Sequence, residues 1–389
     1  MRAWLTLIIT LLFTVGCTVN RIPVFVSQPQ SSIELFQNDL FPAANQVVVE
    51  SEKDIFELPS EAKDFVDNYI LQFRDPDIQV EKLAQALFSR QQMGVTYLNE
   101  ANTVAKQTYV NAKANCLSLT ILAYAMADYA RFDVKFQQIG IPENWVRRAE
   151  RNLQNGHINL KIRPRASEVA IVDFADNYTE VDFNRPQRSY TKKNITKERV
   201  IAMFYNNNGA DYLLSKGYTP AFAYFRAALK TDPEFVPALI NLGALYRLYG
   251  KYELAEQIYT KAIHLDPDNL NSLENLAILK EYTGNFDRAR DIRKIITTRR
   301  QSNPYYHLIV GEEAYDRGDY DKALISLHTA SRLDQHIHEI YFALAKTYYK
   351  LGDIDMSEQN LKLAKRNSIS DSQRSAYQGK LELLSRNDQ

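Results

Sequence analysis

Residues 236–269 read VPALINLGALYRLYGKYELAEQIYTKAIHLDPDN, and this stretch decides the fold of the C-terminal half of the chain. Its small and apolar residues follow helical spacing on both sides of a central glycine, which predicts two helices joined by a turn. Small residues then recur every 34 positions in four series that share one register. The series are Gly209, Gly243, Ala277, Gly311 and Ala345; Gly250, Gly284, Gly318 and Gly352; Ala221, Ala255, Ala289, Ala323 and Ser357; and Ala228, Ala262, Ile296 (the one large member), Ala330 and Ala364.

This period and these small residues resemble the tetratricopeptide repeat, whose helix pairs stack into a solenoid. Within residues 200–371 we expect five units, at 202–235, 236–269, 270–303, 304–337 and 338–371. Residues 372–389 are expected to supply a capping helix and tail. The third unit fits least well, because Lys280 and Arg293 stand where large apolar residues are usual.

The N-terminus, MRAWLTLIITLLFTVGC, has the layout of an export signal. One cationic residue precedes an apolar run that is too short to cross a bilayer, which needs roughly 20 residues. The ending TVGC resembles a bacterial lipobox, which implies a signal peptide at 1–16, lipidation of Cys17 and a tether over 17–55. The alternative is an ordinary signal peptide with an incidental cysteine. Thr18, in place of Asp, resembles an outer-membrane address, so we expect a lipid-anchored protein of the bacterial envelope that faces the periplasm.

The charge balance excludes a general attraction to nucleic acid. Lys and Arg number 47 and Asp and Glu number 47, so the net charge is zero, and no electrostatic steering toward phosphate is expected. Contact with the membrane is expected through the N-terminal lipid alone. If Cys17 carries that lipid, Cys116 keeps its thiol in an exported protein, which is unusual enough to need an explanation.

Residues 56–195 change from helical to strand-like patterning. Helical segments are predicted from Ser60, after Asp75–Asp77, and from Cys116 to about Ala130. The short runs VKFQQIGI (134–141), HINLKI (157–162) and VAIVDFA (169–175) then read as strands. Helices followed by strands predict an α+β domain before the all-α solenoid.

Three residues of this domain have the chemistry of a cysteine nucleophile site. Cys116 opens a helix, whose N-terminal amides favour a thiolate. His157 is the one histidine of the domain, and Asp173 lies in the next predicted strand. The order of Cys on a helix, His on a strand and Asp on the following strand resembles the transglutaminase-like superfamily. That resemblance implies Cys116 as nucleophile, His157 as general base and acid, and Asp173 as the carboxylate that orients the imidazole.

Several alternatives remain open at this site. Asp182, in a second VDF sequence, is a rival for the third role. The chain also lacks the aromatic residue that often follows the family's histidine and the tryptophan before its aspartate strand. A second oxyanion donor, besides the amide of Cys116, is expected from Asn115, Gln107 or Tyr109. Finally, a cysteine on an apolar helix is often a packing residue.

Two classes of function follow. The first is an acyl-transfer enzyme that forms a Cys116 thioester from an amide or peptide bond, with the repeats recruiting a protein partner or substrate. Water would resolve the thioester in a protease or amidase, and an amine would resolve it in a cross-linking enzyme; we favour hydrolysis, because nothing in the sequence suggests an amine site. The second is an inactive lipoprotein adaptor whose concave repeat face binds a protein or peptide partner. The candidate groove residues are Arg247, Tyr282, Glu312, Tyr315, Lys346 and Tyr349. No CxxC, HExxH or glycine-rich phosphate loop is present in the sequence, so we expect no metal or other cofactor.

Overall fold

A computed structural model of the chain describes residues 34–89, 91–140, 145–148, 151–154, 157–165, 178–181, 191–368 and 371–387. The chain forms a mixed N-terminal domain and, from Lys197 onward, a row of helices. The helices of the first domain are α1 (Glu52–Phe56), α2 (Ser60–Phe65), α3 (Pro76–Phe88), α4 (Ala105–Asn111) and α5 (Cys116–Tyr129). Its strands are β1 (Thr96–Tyr97), β2 (Lys113–Ala114), β3 (Asp133–Gly140), β4 (Trp145–Arg148), β5 (Arg151–Gln154), β6 (His157–Arg163), β7 (Thr179–Val181) and β8 (Thr191–Ile195).

Helix α5 is the centre of the first domain. It is apolar around its whole circumference and buried along almost all of its length. It packs on β3 and β6 of an antiparallel sheet with strand order β7-β6-β3-β8. Ile158, Leu160 and Ile162 of β6 are buried on one face of the strand, and Asn159, on the other face, is buried too. Tyr124 of the helix stacks on Phe136 of β3 with ring centres 4.8 Å apart.

The row of helices consists of five helix pairs and a last single helix. The pairs are α6 (Lys197–Leu214) with α7 (Tyr218–Thr231), α8 (Val236–Leu248) with α9 (Tyr252–Leu265), α10 (Leu270–Tyr282) with α11 (Phe286–Arg300), α12 (Pro304–Asp316) with α13 (Tyr320–Leu333), and α14 (His338–Leu351) with α15 (Ile354–Asn367). Helix α16 (Asp371–Asn387) packs on α15. The first helices α6 and α8, α8 and α10, and α12 and α14 are in contact with each other, whereas successive second helices have at most slight contact. The first helices therefore line the concave side of a solenoid.

The small residues of the repeat register have two distinct physical roles. Gly243 lies where α8 crosses α9, and a Cβ at this position would stand 2.5 Å from a ring carbon of Tyr259. Gly250 lies in the turn between the same helices at φ +71°, a conformation that side-chain-bearing residues rarely adopt. One series thus permits close packing of helices, and the other permits the turn.

Ion pairs replace apolar contacts in the third helix pair. Lys280 Nζ lies 2.5 Å from Glu256 Oε1. Arg293 lies 2.6 Å from both Glu274 and Glu281, and these hydrogen bonds raise the pKa of its guanidinium. The two residues that depart from the repeat pattern are thus satisfied by acidic partners.

The hydrophobic core divides after this third pair. One cluster extends from the N-terminal domain to Ile296 of α11 without interruption. A second cluster begins at Leu308 of α12 and ends at Leu384 of α16. The N-terminal domain and the first three pairs therefore share one core, and the last two pairs share another with α16.

The expected tether over 17–55 needs correction for residues 34–55, because this part is packed against the solenoid and against its own domain. Phe41 stacks on Phe222 of α7 with ring centres 4.6 Å apart and lies equally close to Tyr249. The Tyr246 hydroxyl donates to the carbonyl of Leu35 at 2.7 Å. Residues 1–33, including the expected signal peptide and Cys17, lie outside the described residues. No helix in the described part of the chain is long and apolar enough to span a bilayer.

Candidate functional site

Cys116 is the first residue of α5 and is half-buried. The preceding Asn115 is the N-cap, and its side-chain oxygen accepts a hydrogen bond from the amide of Ser118 at 2.8 Å. This is a standard way to satisfy the amides of a first helical turn. Among the three predicted oxyanion donors, Asn115 thus has a structural role through its oxygen, and the prediction concerns its Nδ2 group.

The loop before α4 holds this first turn in place. Ser118, which is fully buried, donates from its hydroxyl to the carbonyl of Ala101 at 2.8 Å. The same hydroxyl accepts from the amide of Thr103, also at 2.8 Å. The amide of Asn115 donates to Ala101 as well. The start of the helix, and with it the backbone of Cys116, is therefore fixed by buried hydrogen bonds.

His157 is the first residue of β6, and its backbone is paired with Ile139 near the end of β3. Helix α5 has 14 residues and β3 has 8, so both are roughly 20–27 Å long. Only residues 130–132 connect them. Tyr124 in the last part of α5 stacks on Phe136 near the start of β3, so the chain reverses between them and the end of β3 returns toward the level of Cys116. The backbones of Cys116 and His157 thus lie at the same end of the domain, while the side chain of His157 is outside the described part of the structure.

The two candidate carboxylates, Asp173 and Asp182, fall in 166–177 and 182–190, outside the described residues. The choice between them stays open. The strand that does pair with the far side of β6 is β7, where Val181 stands opposite Leu160.

The other two oxyanion candidates lie on α4. Gln107 is exposed. The Tyr109 hydroxyl donates to the carbonyl of Glu61 at 3.3 Å, and burial, followed by the charges of Glu61 and Asp64, raises the pKa of Tyr109. The structure therefore brings Tyr109 to α2.

Three of the six groove candidates form a cluster on the concave side of the solenoid. Lys346 of α14 lies 3.5 Å from Glu312 of α12. Its ammonium is also 5.2 Å from the ring centre of Tyr315 and 5.3 Å from that of Phe342, within the range of cation–π attraction. Sequence reasoning missed Phe342, since Leu308 holds the same repeat position and the residue therefore reads as core.

The remaining groove candidates lie elsewhere. Arg247 adjoins Tyr259, whose pKa is raised by burial to about 12, with Arg247 opposing the rise. Tyr282 is 68% exposed and has its ring centre 5.8 Å from that of Tyr252. Tyr349 is exposed near the end of α14. In the residues that the structure describes, no group of three or more His, Cys, Asp or Glu side chains is arranged to hold a metal ion.

Comparison with known families identifies the solenoid. Residues 236–269 and 338–367 each match a family model described as tetratricopeptide repeat. Together with the helix pairs, this confirms tetratricopeptide repeats in the C-terminal half of the chain, a class of repeat that suggests interactions between proteins. The matched segments lie in the solenoid, and the transglutaminase-like assignment of the first domain stays a prediction.

Comparison with curated proteins finds no match. Among solved structures, the chain is similar to the APC/C hetero-tetramer Cut9-Hcn1, with 20% identity over 48% of this chain and 37% of that chain and a TM-score of 0.28. It is similar to PilF of Pseudomonas aeruginosa, with 17% identity over 49% of this chain and 90% of that chain and a TM-score of 0.27. It is also similar to TTC0263, a tetratricopeptide repeat protein of Thermus thermophilus, with 22% identity over 46% of this chain and 97% of that chain and a TM-score of 0.27.

Proposed function

We propose that this chain is a cysteine acyl-transfer enzyme of the bacterial envelope, in which a transglutaminase-like domain hydrolyses an amide or peptide bond and the solenoid recruits the protein that carries it. The observation that supports the enzymatic part is the connection between the helix that begins at Cys116 and the sheet that contains the backbone of His157. One residue begins the central helix, the other begins a strand on which that helix packs, and the chain reversal of residues 130–132 brings both beginnings to one end.

The proposed reaction assigns a role to each residue. The sulfur of Cys116 attacks the carbonyl carbon of the scissile amide while His157 accepts the thiol proton. The C–N bond then breaks, His157 returns the proton to the leaving amine, and the acyl group remains as a thioester on Cys116. Water, deprotonated by His157, attacks the thioester and releases a carboxylic acid and the thiol. Asp173, or Asp182 in its place, would hold the imidazole in the productive tautomer.

The negative charge that develops on the carbonyl oxygen needs preorganised donors. The amide of Cys116 belongs to the first turn of α5, where amides are not used by the helix itself. The Nδ2 group of Asn115 is the closest proposed side-chain donor in sequence, and its side chain is held by the cap to Ser118.

A comparison of alkylation rates tests the proposed nucleophile. The native chain is treated with iodoacetamide at pH 7, and modification of Cys116 is followed by peptide mass spectrometry. We expect Cys116 to react faster in the native chain than in the urea-unfolded chain, and His157→Ala to remove this advantage. A native rate at or below the unfolded rate would contradict an activated thiol, and an unchanged rate in His157→Ala would exclude the histidine as its base.

We further propose that Cys17 is lipidated and anchors the protein to the outer membrane on its periplasmic side. The support is the sequence TVGC after a short apolar run. Growth with a radiolabelled fatty acid should label the wild-type chain and leave Cys17→Ser unlabelled. Labelling of Cys17→Ser, or no labelling of the wild type, would contradict the anchor.

An inactive adaptor is the second candidate. It is favoured by the continuous core between the first domain and three repeats, since a domain used only as a scaffold would be attached in this way. The two candidates differ in their response to substitution. Loss of function in Lys346→Glu together with full function in Cys116→Ala would favour the adaptor.

A further inference from the structure

Segment 34–50 crosses the helix pairs in one direction. At its C-terminal end, Glu50 accepts a hydrogen bond from the hydroxyl of Tyr224 on α7 at 2.8 Å. At its N-terminal end, the Tyr246 hydroxyl of α8 donates to the carbonyl of Leu35 at 2.7 Å. Toward the N-terminus, the segment therefore passes from the first helix pair to the second. The next pair in this direction is α10 with α11.

The segment contacts the edge of the solenoid at which the two helices of a pair are joined by a turn. The ring of Phe41 lies 4.6 Å, centre to centre, from that of Tyr249, which belongs to the turn between α8 and α9. Tyr249 in turn contacts Tyr218, the first residue of α7, with ring centres 5.6 Å apart. Phe41 is 2% exposed. An aromatic side chain from the N-terminal part of the chain is thus buried against rings at this turn edge.

Apolar side chains continue along the turn edge toward the third pair. Tyr252 begins α9, and its ring centre is 5.8 Å from that of Tyr282, the last residue of α10. Tyr282 is 68% exposed, and Leu248, at the same repeat position in the second pair, is 53% exposed. The fourth and fifth pairs have Asp316 and Lys350 at this position. We refer to Leu248, Tyr252 and Tyr282 as the turn-edge patch, which lies directly beside the part of the edge that Phe41 contacts.

An apolar run precedes segment 34–50 in the chain. Residues 22–26 read IPVFV, and the polar sequence SQPQSS follows at 27–32. The run lies outside the described residues. It also lies beyond the expected signal peptide at 1–16, so it should remain in the mature protein. Five consecutive apolar residues are unfavourable in water and are typical of a segment that is covered by another surface.

The length of the chain allows this run to reach the turn-edge patch. Residues 27–34 separate the run from Leu35, and eight extended residues span about 26 Å. Packed helices are about 8–10 Å apart, and α8 and α10 are in contact. The shift from the second pair to the third therefore needs less than half of the available length.

We propose that residues 22–26 bind the turn-edge patch, with Phe25 against the rings of Tyr252 and Tyr282. The interface of segment 34–50 with the first two pairs is thereby continued onto the third pair. Stacked and edge-on aromatic contacts stabilise such packing beyond the burial of apolar area. This binding does not depend on the proposed enzymatic activity.

The binding has a consequence for the orientation of the molecule, and this consequence rests on the proposed lipidation of Cys17. Only residues 18–21 would separate the lipid from the bound run, a distance of at most about 17 Å. The turn edge of the first three repeats would then be held close to the membrane.

Site-specific photo-cross-linking in the full chain tests the binding. The photoreactive residue p-benzoylphenylalanine is introduced at Tyr282, the membrane fraction is irradiated, and the linked residues are located by mass spectrometry. Tyr349, which is exposed near the end of α14, receives the same group as a control. We expect position 282 to link to residues 22–26 of its own chain, and position 349 to link to none of them.

Two variants that introduce the same charge test the role of the apolar run. Phe25→Asp should lower the yield of the link from position 282 by about fivefold or more, because the charged side chain loses the burial of the ring. Gln28→Asp, in the polar sequence, should leave the yield unchanged. Circular dichroism checks that both variants are folded.

Four results would overturn the proposal: no link from position 282, a link only to lipid or to another protein, a link confined to residues 34–50, or an unchanged yield in Phe25→Asp. Fatty-acid labelling of Cys17 decides the lipid anchor separately, since the cross-link reports the binding of residues 22–26 whether or not a lipid is attached.

Discussion

The contact between Gly243 and Tyr259 predicts how a single methyl group affects the solenoid. In Gly243→Ala, the new Cβ would meet a fully buried ring at 2.5 Å. Overpacking of this kind costs about 1–3 kcal/mol. We expect a lower free energy of unfolding in urea for this variant.

Gly379 is the matched control, because it also lies in a helix but a Cβ there meets nothing within 4 Å. Alanine is favoured over glycine in a helix interior by about 1 kcal/mol. Gly379→Ala should therefore raise stability, opposite in sign to Gly243→Ala. Equal effects at the two positions would contradict the close crossing of α8 and α9.

The buried imidazole of His338 predicts a pH dependence. Its Nδ1 lies 3.0 Å from the Tyr377 hydroxyl of α16. Burial lowers the pKa of His338 from 6.5, and the nearby Glu339 opposes this. The folded state thus keeps a neutral ring, while the unfolded chain takes up a proton below about pH 6.5.

Stability of the last repeats should accordingly be complete above pH 6.5 and decrease as the pH falls from there. Thermal unfolding of the wild type between pH 7.5 and 5.5 measures the effect. His338→Gln should reduce the pH dependence, and substitution of the exposed His336 by Gln should leave it unchanged. A pH dependence that persists in His338→Gln would assign it to other groups, of which His328 is the first, since burial lowers its pKa too.

At the level of elements, the N-terminal segment 34–50 acts as a strap on the first two repeats. Phe41 is 2% exposed and packs on rings of α7 and of the turn after α8. Phe41→Ala should cost about 3–5 kcal/mol in unfolding free energy, as for other buried phenylalanines. Phe286→Ala is the control, because that ring is 63% exposed, and should change stability by less than about 0.5 kcal/mol. Equal losses of unfolding free energy in the two variants would contradict a stabilising role of segment 34–50.

The elements that could be predicted from the sequence are those whose contacts join residues close together in the chain. Helical patterning predicts the helices that begin at Ser60 and Cys116, and it predicts α3 after Asp77, two residues later than its observed start at Pro76. The repeat period predicts the helix pairs. The strap was not predictable, because the hydrogen bond of Gln37 to Tyr246 spans 209 residues. Strands β4 and β5 were missed since WVRR and RNLQ lack apolar alternation.

The sequence predicts the order of the candidate site residues along the chain but not their arrangement in space. The positions of Cys116 at a helix start and His157 at a strand start follow from sequence, whereas the pairing of His157 with Ile139 required the sheet register. Nothing in the sequence indicates that Phe342 lies in the groove rather than in the core.

For the whole molecule, the divided core predicts two cooperative units. The first contains the N-terminal domain and three repeats, and the second contains Leu308 to Leu384. Hydrogen exchange should show α14 and α15 losing protection together, independently of α8 and α9. Leu344→Ala, at a buried position of the second unit, should accelerate exchange in α14 and α15 alone. Simultaneous acceleration in α8 would indicate a single unit.

The two cooperative units contain different candidate functional features. The first contains Cys116 and the loop at 101–104, which bonds both to the first turn of α5 and to α6. The second presents the charged and aromatic cluster at Glu312, Tyr315 and Lys346.

Short-range cross-linking tests the proximity of Cys116 and His157 independently of any substrate. His157→Cys is treated with a bis-maleimide that has an ethylene spacer, and the link to Cys116 is identified by mass spectrometry. Arg163→Cys, at the opposite end of β6 and roughly 20 Å further along the strand, is the control. We expect efficient linkage of 116 to 157 and none to 163. No linkage at 157, or equal linkage at both positions, would contradict a shared site for the thiol and the imidazole.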